Sequence, residues 1–381
     1  MKSIIMIFIL SFILTTAGCE KDSDTINNPD PIVASEFTEV SAKYRHTLAL
    51  KSDGSLWAWG YNGNGQFGSG DLHSSASPAR TGNSTWSKIS AGGYHSLGIK
   101  SDGTLWAWGD NDYGQLGTGN TTISYIPVQI TNFSNWIMIS AGEDFSTALR
   151  SDGSLWTWGS NQYGKLGIGS TVTLLSPTMV GSSMDWKKVS AGWDHTMGIR
   201  IDGTLWAWGY NGYGQLGDST TTSIPSPKLI GSDGNWLDIS SGGYHTIARK
   251  TDGSLWAWGN NAYGQLGNGT TQNKNVPIKI GNSTWTQISA GGSHTIGIKA
   301  DGTLWCWGYN NFGQIGNGSN TSTSSPTQEV TYSTLWSNVS AGWEYSFGKR
   351  NDNRLWAWGK GELGELGNGS EENKVVPFQI P

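Results

Sequence analysis

One five-residue string, Leu-Trp-x-Trp-Gly, recurs seven times along this chain, and its recurrence restricts the possible folds more than any other feature. Consecutive copies lie 49 to 51 residues apart. The copies begin at Leu56, Leu105, Leu155, Leu205, Leu255, Leu304 and Leu355. A further aromatic residue stands twenty positions before the first Trp of each string: Phe37, Trp86, Trp136, Trp186, Trp236, Trp285 and Trp336. A fixed period of this length indicates one supersecondary unit used seven times.

Each unit contains the signals of short β-strands. In the second unit, residues 86–91 and 95–99 alternate between apolar and polar side chains, which predicts two half-buried strands. Asp102–Gly103 suits a tight hairpin turn into the string at 105–108. Because the string is apolar on both faces, we expect a strand covered on both sides. Residues 127–130 are the expected outer strand.

Four short strands in each of seven units, with no helical period, predict an all-β fold, a seven-bladed β-propeller over residues 37–381. An open β-solenoid is the alternative, although its rungs are usually shorter than 50 residues. The 55 Gly and 22 Trp supply turns and buried aromatic surface, which argues against global disorder. The 11 Pro and the lack of a three-residue Gly period exclude collagen. A net charge of -5 argues against nucleic-acid binding.

The first residues predict export to the cell envelope. A cationic start is followed by an apolar stretch at 4–14 and by small residues up to Cys19, which resembles a bacterial lipoprotein processing site. We therefore predict a signal peptide at 1–18, lipid on Cys19 (with palmitate among the acyl chains), and an acidic flexible tether at 19–36. The alternative is an ordinary secretory signal peptide. Cys306 is the only other cysteine, so no disulfide is expected.

Three motifs of the repeat resemble a known family. Ser-Ala-Gly-Gly-x-His-Ser, Asp-Gly-x-Leu-Trp-Ala-Trp-Gly and Asn-x-Tyr-Gly-Gln-Leu-Gly are similar to the repeat of the regulator of chromosome condensation family, from Phe37 to Ile380. The resemblance implies a seven-bladed propeller that acts by binding proteins. Its members include a nucleotide exchange factor of the GTPase Ran, an inhibitor of β-lactamases and a plant sensor of ultraviolet light. It therefore implies the fold and leaves the function open.

Most of the repeated motifs that could suggest chemistry are better explained by structure. Five histidines share one register, but each belongs to its own repeat and an aromatic residue replaces it twice, so packing with a hydrogen bond to the backbone is expected. The glycine fingerprints that start at Gly63 and Gly212 precede no helix, so we expect turn glycines. Asp110-Asn-Asp112 lacks the later acidic ligands of a calcium loop. We therefore predict no metal, no cofactor and no catalytic residue.

The candidate partner-binding residues are those that vary within the fixed frame. They stand in pairs just before the histidine register, so rotational symmetry should bring them to one face, around the mouth of the central channel. These residues are Tyr44, Arg45, Tyr94, Glu143, Asp144, Trp193, Asp194, Tyr244, Trp343 and Glu344. Aromatic residues dominate binding hot spots, which favours an interaction surface. Neutral variation of loops is the alternative.

These observations predict a monomeric, non-catalytic scaffold, lipid-anchored outside the cytoplasm of a bacterium, that binds a protein. Glycan binding is the alternative, with Trp193, Trp343, Tyr94 and Tyr244 stacking on sugar rings. An enzyme inhibitor or a propeller hydrolase is less favoured. Exchange on a cytosolic GTPase does not fit an exported protein. Light sensing is the least favoured alternative, because an acidic residue follows each of Trp193 and Trp343 where the plant relative has Arg.

Overall fold

The computed structural model describes residues 37–381, and every structural statement below concerns that part of the chain. The predicted signal peptide, the tether and Cys19 lie outside the described residues. Within 37–381 there are 27 strands and one short 3-10 helix, Gln162–Gly164. No helix in this range is long and apolar enough to cross a membrane.

Each sequence repeat supplies four strands. The first strands are β1 (Phe37–Ala42), the second half of β4 (Ser75–Ala91), β8 (Trp136–Ala141), β12 (Trp186–Ala191), β16 (Trp236–Ser241), β20 (Trp285–Ala290) and β24 (Trp336–Ala341). The second strands are β2 (His46–Lys51), β5 (His95–Lys100), β9 (Phe145–Arg150), β13 (His195–Arg200), β17 (His245–Lys250), β21 (His294–Lys299) and β25 (Tyr345–Arg350). The third strands are β3 (Ser55–Gly60), β6 (Leu105–Gly109), β10 (Leu155–Gly159), β14 (Leu205–Gly209), β18 (Leu255–Gly259), β22 (Leu304–Gly308) and β26 (Leu355–Gly359). The fourth strands are the first half of β4, β7 (Ser124–Gln129), β11 (Leu174–Met179), β15 (Ile224–Leu229), β19 (Lys274–Lys279), β23 (Thr323–Gln328) and β27 (Lys374–Gln379).

The four strands of a repeat pair antiparallel and in chain order. Repeats 3 to 7 each form a four-stranded sheet. Repeats 1 and 2 share β4, which runs without a break through both and joins their strands into one seven-stranded sheet. The predicted all-β unit of four strands is therefore confirmed, with the fourth strand of repeat 2 starting at Ser124 rather than Pro127.

The Asp-Gly pairs form the predicted hairpin turns between the second and third strands. In repeat 2 the N–H of Gly103 donates to the carbonyl of Lys100 at 2.9 Å, and Gly103 has φ of +79°. The carboxylate of Asp102 accepts the N–H of Thr104 at 3.0 Å. Repeat 7 has Asn353 at the glycine position with φ of +63°, a conformation that Asn tolerates better than most residues.

The two tryptophans of each string have different environments, so the prediction that both faces of the string are covered is wrong for the first Trp. The second Trp is fully buried; Trp108, for example, donates its Nε1–H to the Gln66 carbonyl of the preceding repeat at 2.8 Å. The first Trp is half-buried. The Trp106 ring lies 3.5 Å below the Lys100 ammonium, and its Nε1–H donates to the Thr104 hydroxyl. A cation on the ring and a hydroxyl at its edge replace the apolar cover that we expected.

The hydrophobic cores lie between neighbouring repeats. One core joins Leu48 and Leu56 of repeat 1 to Trp86 and Trp108 of repeat 2. The same arrangement joins the last repeat to the first, because Phe347 and Leu355 lie in one core with Phe37 and Trp59. The Nε1–H of Trp59 also donates to the carbonyl of Glu365 in repeat 7 at 2.8 Å. No repeat can therefore bury its apolar surface alone, which links the stability of each to its two neighbours.

Candidate functional site

Small residues, mostly serine and alanine, line a central channel. One serine from the first strand of each repeat accepts, on its hydroxyl oxygen, a backbone N–H from the next repeat at 2.9–3.1 Å. The last of these bonds runs from Ala42 in repeat 1 to Ser340 in repeat 7, so the series closes into a circle. The serines are Ser41, Ser90, Ser140, Ser190, Ser240, Ser289 and Ser340.

The five histidines of the shared register hold adjacent repeats together. The Nε2 atom of His46 lies 2.9 Å from the Ser96 hydroxyl, which itself donates to the carbonyl of Gln66 at 2.8 Å. The ring therefore donates from Nε2, and it is neutral. Burial lowers the pKa of His46 to about 3, and the same holds for His95, His195, His245 and His294. The packing role is confirmed, but the ring is bonded to a Ser or Thr hydroxyl of the next repeat and not to the backbone as predicted.

Aromatic side chains from distant repeats meet at the channel mouth next to the histidine register. The ring centroids of Trp193 and Trp343 are 3.9 Å apart. Tyr44 lies 5.8 Å from Trp343 and 6.4 Å from Trp193, and Tyr94 lies 5.2 Å from Tyr44. Tyr244 joins at 5.4 Å from Trp193. We call these five residues the mouth cluster; all five are half-buried.

Glycines in other repeats make room for the mouth cluster. A Cβ atom at Gly292 would lie 2.6 Å from Cδ2 of Trp343, and one at Gly243 would lie 3.0 Å from its Cζ3. These glycines occupy the position in repeats 6 and 5 that Trp343 occupies in repeat 7. A single Trp can therefore lie over two neighbouring repeats because both lack a side chain there.

A small cavity of about 20 Å³ lies next to these rings. Tyr44, Trp193, Trp343 and Glu143 line it together with backbone of the glycine positions. Lys43 lines both this cavity and the channel below. The mouth therefore has aromatic walls with a lysine at its base.

Sequence reasoning missed Lys43, although the chain carries a signal for it. The other six repeats have glycine at this position, which makes the lysine of repeat 1 an exception within the frame. Its ammonium donates to the carbonyl of Ala191 in repeat 4 at 2.8 Å, so the side chain crosses the channel. Burial lowers the pKa of Lys43 to about 8, against the opposing effect of Glu143.

The predicted acidic residues of repeats 3 and 4 lie close together at the same mouth. Burial, with repulsion from Asp144 and Asp194, raises the pKa of Glu143 to about 7. Burial raises the pKa of Asp144 to about 6, although Lys165 opposes the shift. The ammonium of Lys165 lies 2.7 Å from the Asp194 carboxylate. Lys165 stands where five repeats have glutamine, a second exception that the sequence analysis did not use.

The remaining predicted residues lie beside the cluster at the junction of repeats 7 and 1. The Arg45 guanidinium lies 4.9 Å from the Tyr44 ring centroid, and Glu344 pairs with Lys360 at 2.9 Å. Arg45, Glu344 and Lys360 line a second cleft that adjoins Tyr44 and Trp343. All ten predicted residues are thus half-buried at one end of the channel, while their role in binding stays a prediction.

Tyrosines from the loop after the third strand extend this surface. Tyr61 lies 6.2 Å from Tyr94, and Tyr210 and Tyr213 lie 5.9 and 5.3 Å from Tyr244. The residue after each Leu-Trp-x-Trp-Gly string differs between repeats, and this variation could have pointed to Tyr61 and Tyr210. Within residues 37–381 no three His, Cys, Asp or Glu side chains are grouped so that they could hold a metal ion. The geometry is that of a binding surface with aromatic, acidic and basic groups.

Comparison with known proteins places the fold in a family. The model of the RCC1-like domain matches residues 15–240 and 187–381. This chain belongs to the RCC1-like domain family. The two overlapping matches of the RCC1-like model agree with a chain built from repeats of one kind.

Solved structures share the RCC1-like fold at low sequence identity. Human WBSCR16 is 22% identical with a TM-score of 0.77, and the match covers 86% of this chain and 94% of that one. Prp20p of Saccharomyces cerevisiae, described with its binding to Gsp1p and histones, is 23% identical with a TM-score of 0.78, covering 88% and 87%. The ectodomain of the Arabidopsis thaliana receptor kinase ACR4 is 16% identical with a TM-score of 0.55, covering 91% and 98%. At such low identities the likeness shows a shared fold and nothing about function.

Proposed function

We propose that this protein is a non-catalytic scaffold that binds another protein through its mouth cluster. The observation that carries the proposal is the meeting of Tyr44, Trp193 and Trp343 from three separate repeats, at ring distances of 3.9–6.4 Å, on an accessible surface. Stabilising the ring does not require this meeting, because most repeats have no aromatic residue at the position. Large, rigid aromatic side chains contribute much binding energy at a small entropic cost.

The proposed frame for this site is a seven-bladed propeller. Seven sequence repeats and seven serine bonds around one channel support the number of blades. We interpret the seven-stranded sheet as two blades that share β4. In such a ring every loop between the first and second strands emerges at the same end of the channel, which allows residues 150 positions apart, such as Trp193 and Trp343, to act together.

Relatives with the same fold support protein binding as the type of function. Prp20p is described as binding Gsp1p and histones, and yeast RCC1 is described in complex with Kap60. None of these partners is proposed for this chain, because the likeness to Prp20p shows the fold alone. A non-catalytic role is supported by the five histidines of the shared register, which are buried and hydrogen-bonded between repeats instead of facing the mouth.

The test is capture of partners by the tagged full chain extracted from envelope membranes with mild detergent. Trp193→Ala/Trp343→Ala should remain folded and lose at least about 2 kcal/mol of affinity, roughly 30-fold, for the partner that the wild type captures. Ile201→Ala/Leu335→Ala is the matched control, because both residues are exposed (66% and 50%) and lie outside the mouth. If the Trp variant captures the partner as well as the wild type does, the mouth cluster is not the binding site. Sugar-dependent quenching of Trp fluorescence, absent in the Trp variant, would favour the glycan-binding alternative.

We further propose that Cys19 carries lipid and holds the protein to a bacterial envelope membrane. The support is the signal layout before Cys19, and the ectodomain of ACR4 provides an example of this fold outside the cytoplasm. Cys19→Ser should abolish processing at this site or release the chain from the membrane fraction. If Cys19→Ser is processed and partitions like the wild type, the anchor is elsewhere.

A further inference from the structure

The charges around the mouth cluster are distributed unequally. Repeats 2 to 4 contribute five carboxylates to one side: Asp110, Asp112, Glu143, Asp144 and Asp194. Two cations lie near them: Lys165, which pairs with Asp194, and Lys43, whose charge interacts with that of Glu143. On the side of repeats 7 and 1, Glu344 pairs with Lys360, and Arg45 stands over the Tyr44 ring. The side formed by repeats 2 to 4 is therefore the acidic side of the mouth.

The tryptophans of this protein have a consistent relation to cations. In six of the seven strings the half-buried first Trp has a Lys or Arg within 3.4–4.2 Å of its ring centroid. Within residues 37–381, no such cation lies over Trp193 or Trp343, although both are half-buried. Aromatic faces attract cations, and the attraction grows when the pair is shielded from water. Trp193 and Trp343 therefore have no cation over their rings, and they lie near five carboxylates with two cations, Lys43 and Lys165, among them.

We infer that the protein partner presents a basic segment, with an arginine or lysine side chain that contacts the mouth cluster and the carboxylates of Glu143 and Asp144. This inference rests on the proposed function and specifies the chemistry of the partner. The aromatic walls would contact the aliphatic part of the side chain, while the carboxylates would neutralise its charge.

Lys43 determines how far the basic side chain can enter. Its ammonium lies at the base of the cavity, so a second cation placed over the channel would be repelled. The favourable position is at the rim, toward repeats 3 and 4. The asymmetry of charge thus gives the partner one orientation on a frame that is otherwise nearly symmetric.

The same arrangement predicts how binding depends on pH. The ionisable groups that face the site are Asp110, Asp112, Glu143, Asp144, Asp194, Lys43, Lys165 and Tyr244. The pKa of Glu143 is raised to about 7 and that of Asp144 to about 6, so a cation that binds near or below these pH values displaces their protons. Affinity for a basic segment should therefore rise between pH 5.5 and 8, with release of protons.

Two synthetic peptides test the inference on the detergent-solubilised full chain. One alternates arginine with glycine, and the other alternates glutamate with glycine. We expect calorimetry and Trp fluorescence to detect the basic peptide with at least tenfold higher affinity than the acidic one. This affinity should weaken with salt and on acidification to pH 5.5. Equal binding of both peptides, or a basic-peptide affinity that does not change with pH, would overturn the inference.

Neutral variants separate this inference from the proposed function. Glu143→Gln/Asp144→Asn keeps every aromatic ring and should lower the affinity for the basic peptide at least tenfold. Glu371→Gln/Glu372→Gln is the control, since it removes two exposed carboxylates from the outer loop of repeat 7. If the Trp193→Ala/Trp343→Ala chain loses its captured partner while Glu143→Gln/Asp144→Asn keeps it at full affinity, the mouth binds a protein but not through a basic segment. If neither variant changes capture, the proposed function fails as well.

Discussion

Trp208 and Trp343 are the same kind of residue in two opposite situations. Trp208 belongs to a position that is Trp in all seven repeats, and only 1% of its surface is exposed. Trp343 belongs to a position that is Trp in only two repeats, and it stays half-buried against Trp193. The repeated Trp fills the space between two sheets, whereas the unrepeated one lies across the channel mouth. Repetition thus marks residues that stabilise the ring, and departures from repetition mark the candidate site.

Charge follows the same division. The space between repeats contains neutral histidines bonded to hydroxyls, and burial lowers their pKa. The mouth contains carboxylates such as Glu143, and burial with like-charge repulsion raises their pKa. The two regions should therefore respond to pH in opposite directions, and the predictions below use this contrast.

The largest expected effect is loss of the folded state in acid. The five buried histidines have a pKa of about 3 when folded against an ordinary 6.5, so the unfolded chain binds protons first. The free energy of unfolding should fall as pH decreases from 6.5 toward 3, with uptake of up to five protons. Urea denaturation across this range measures the slope. His195→Phe, which copies Phe145 of repeat 3, should take up about one proton fewer; an unchanged slope would contradict the assignment.

The second effect compares the two tryptophans of one strand. Trp208→Ala should cost about 3–5 kcal/mol, because it opens a large cavity between repeats 3 and 4. Trp206→Ala should cost about 1–2 kcal/mol, since that ring is already half exposed under the Arg200 guanidinium. Denaturation midpoints of the two single variants measure the difference. Equal shifts of the two midpoints would mean that the two Trp side chains contribute equally to stability, which would contradict the prediction.

The smallest effect concerns the mouth. Because the folded pKa of Glu143 is raised to about 7 from 4.5, its ionisation opposes folding increasingly as pH rises from 4.5 through 7. Glu143→Gln should therefore raise the urea midpoint at pH 8 and leave it nearly unchanged at pH 4.5. Glu371→Gln, on an exposed loop, should change neither. A lower midpoint for Glu143→Gln at pH 8 would show that the carboxylate is stabilising.

The fold could be predicted from the sequence because the features that determine it recur in each repeat. Strand alternation, the Asp-Gly turns and the strings each occur in every repeat or nearly so, and Asn353 replaces the glycine of the turn with a residue that tolerates the same φ. The half-burial of Trp106 could not be predicted from the sequence, because it depends on Lys100 covering the ring from the neighbouring strand. Hydropathy alone makes both tryptophans of the string equally apolar.

The candidate site could be predicted only in part from the sequence. Symmetry predicted that the variable pairs share one end of the channel, which the positions of Tyr44 and Trp343 illustrate. Symmetry could not predict that Trp343 lies across repeats 5 and 6, because that orientation depends on space above Gly243 and Gly292. Lys43 was not predicted because its position is glycine in the other six repeats, which is typical of a turn and not of a binding residue.

The contact between Phe37 and the end of the last repeat has a topological consequence. Phe37 and Ile380 lie in one hydrophobic core, so the two ends of the ring are near each other. No repeat is then intrinsically the first: a circular permutant, opened in any loop between repeats and joined across 380 and 37, would retain the same set of neighbours. Evolution or engineering could accordingly rotate the order of the repeats, and hence the point from which a terminal extension leaves, while the mouth keeps its composition.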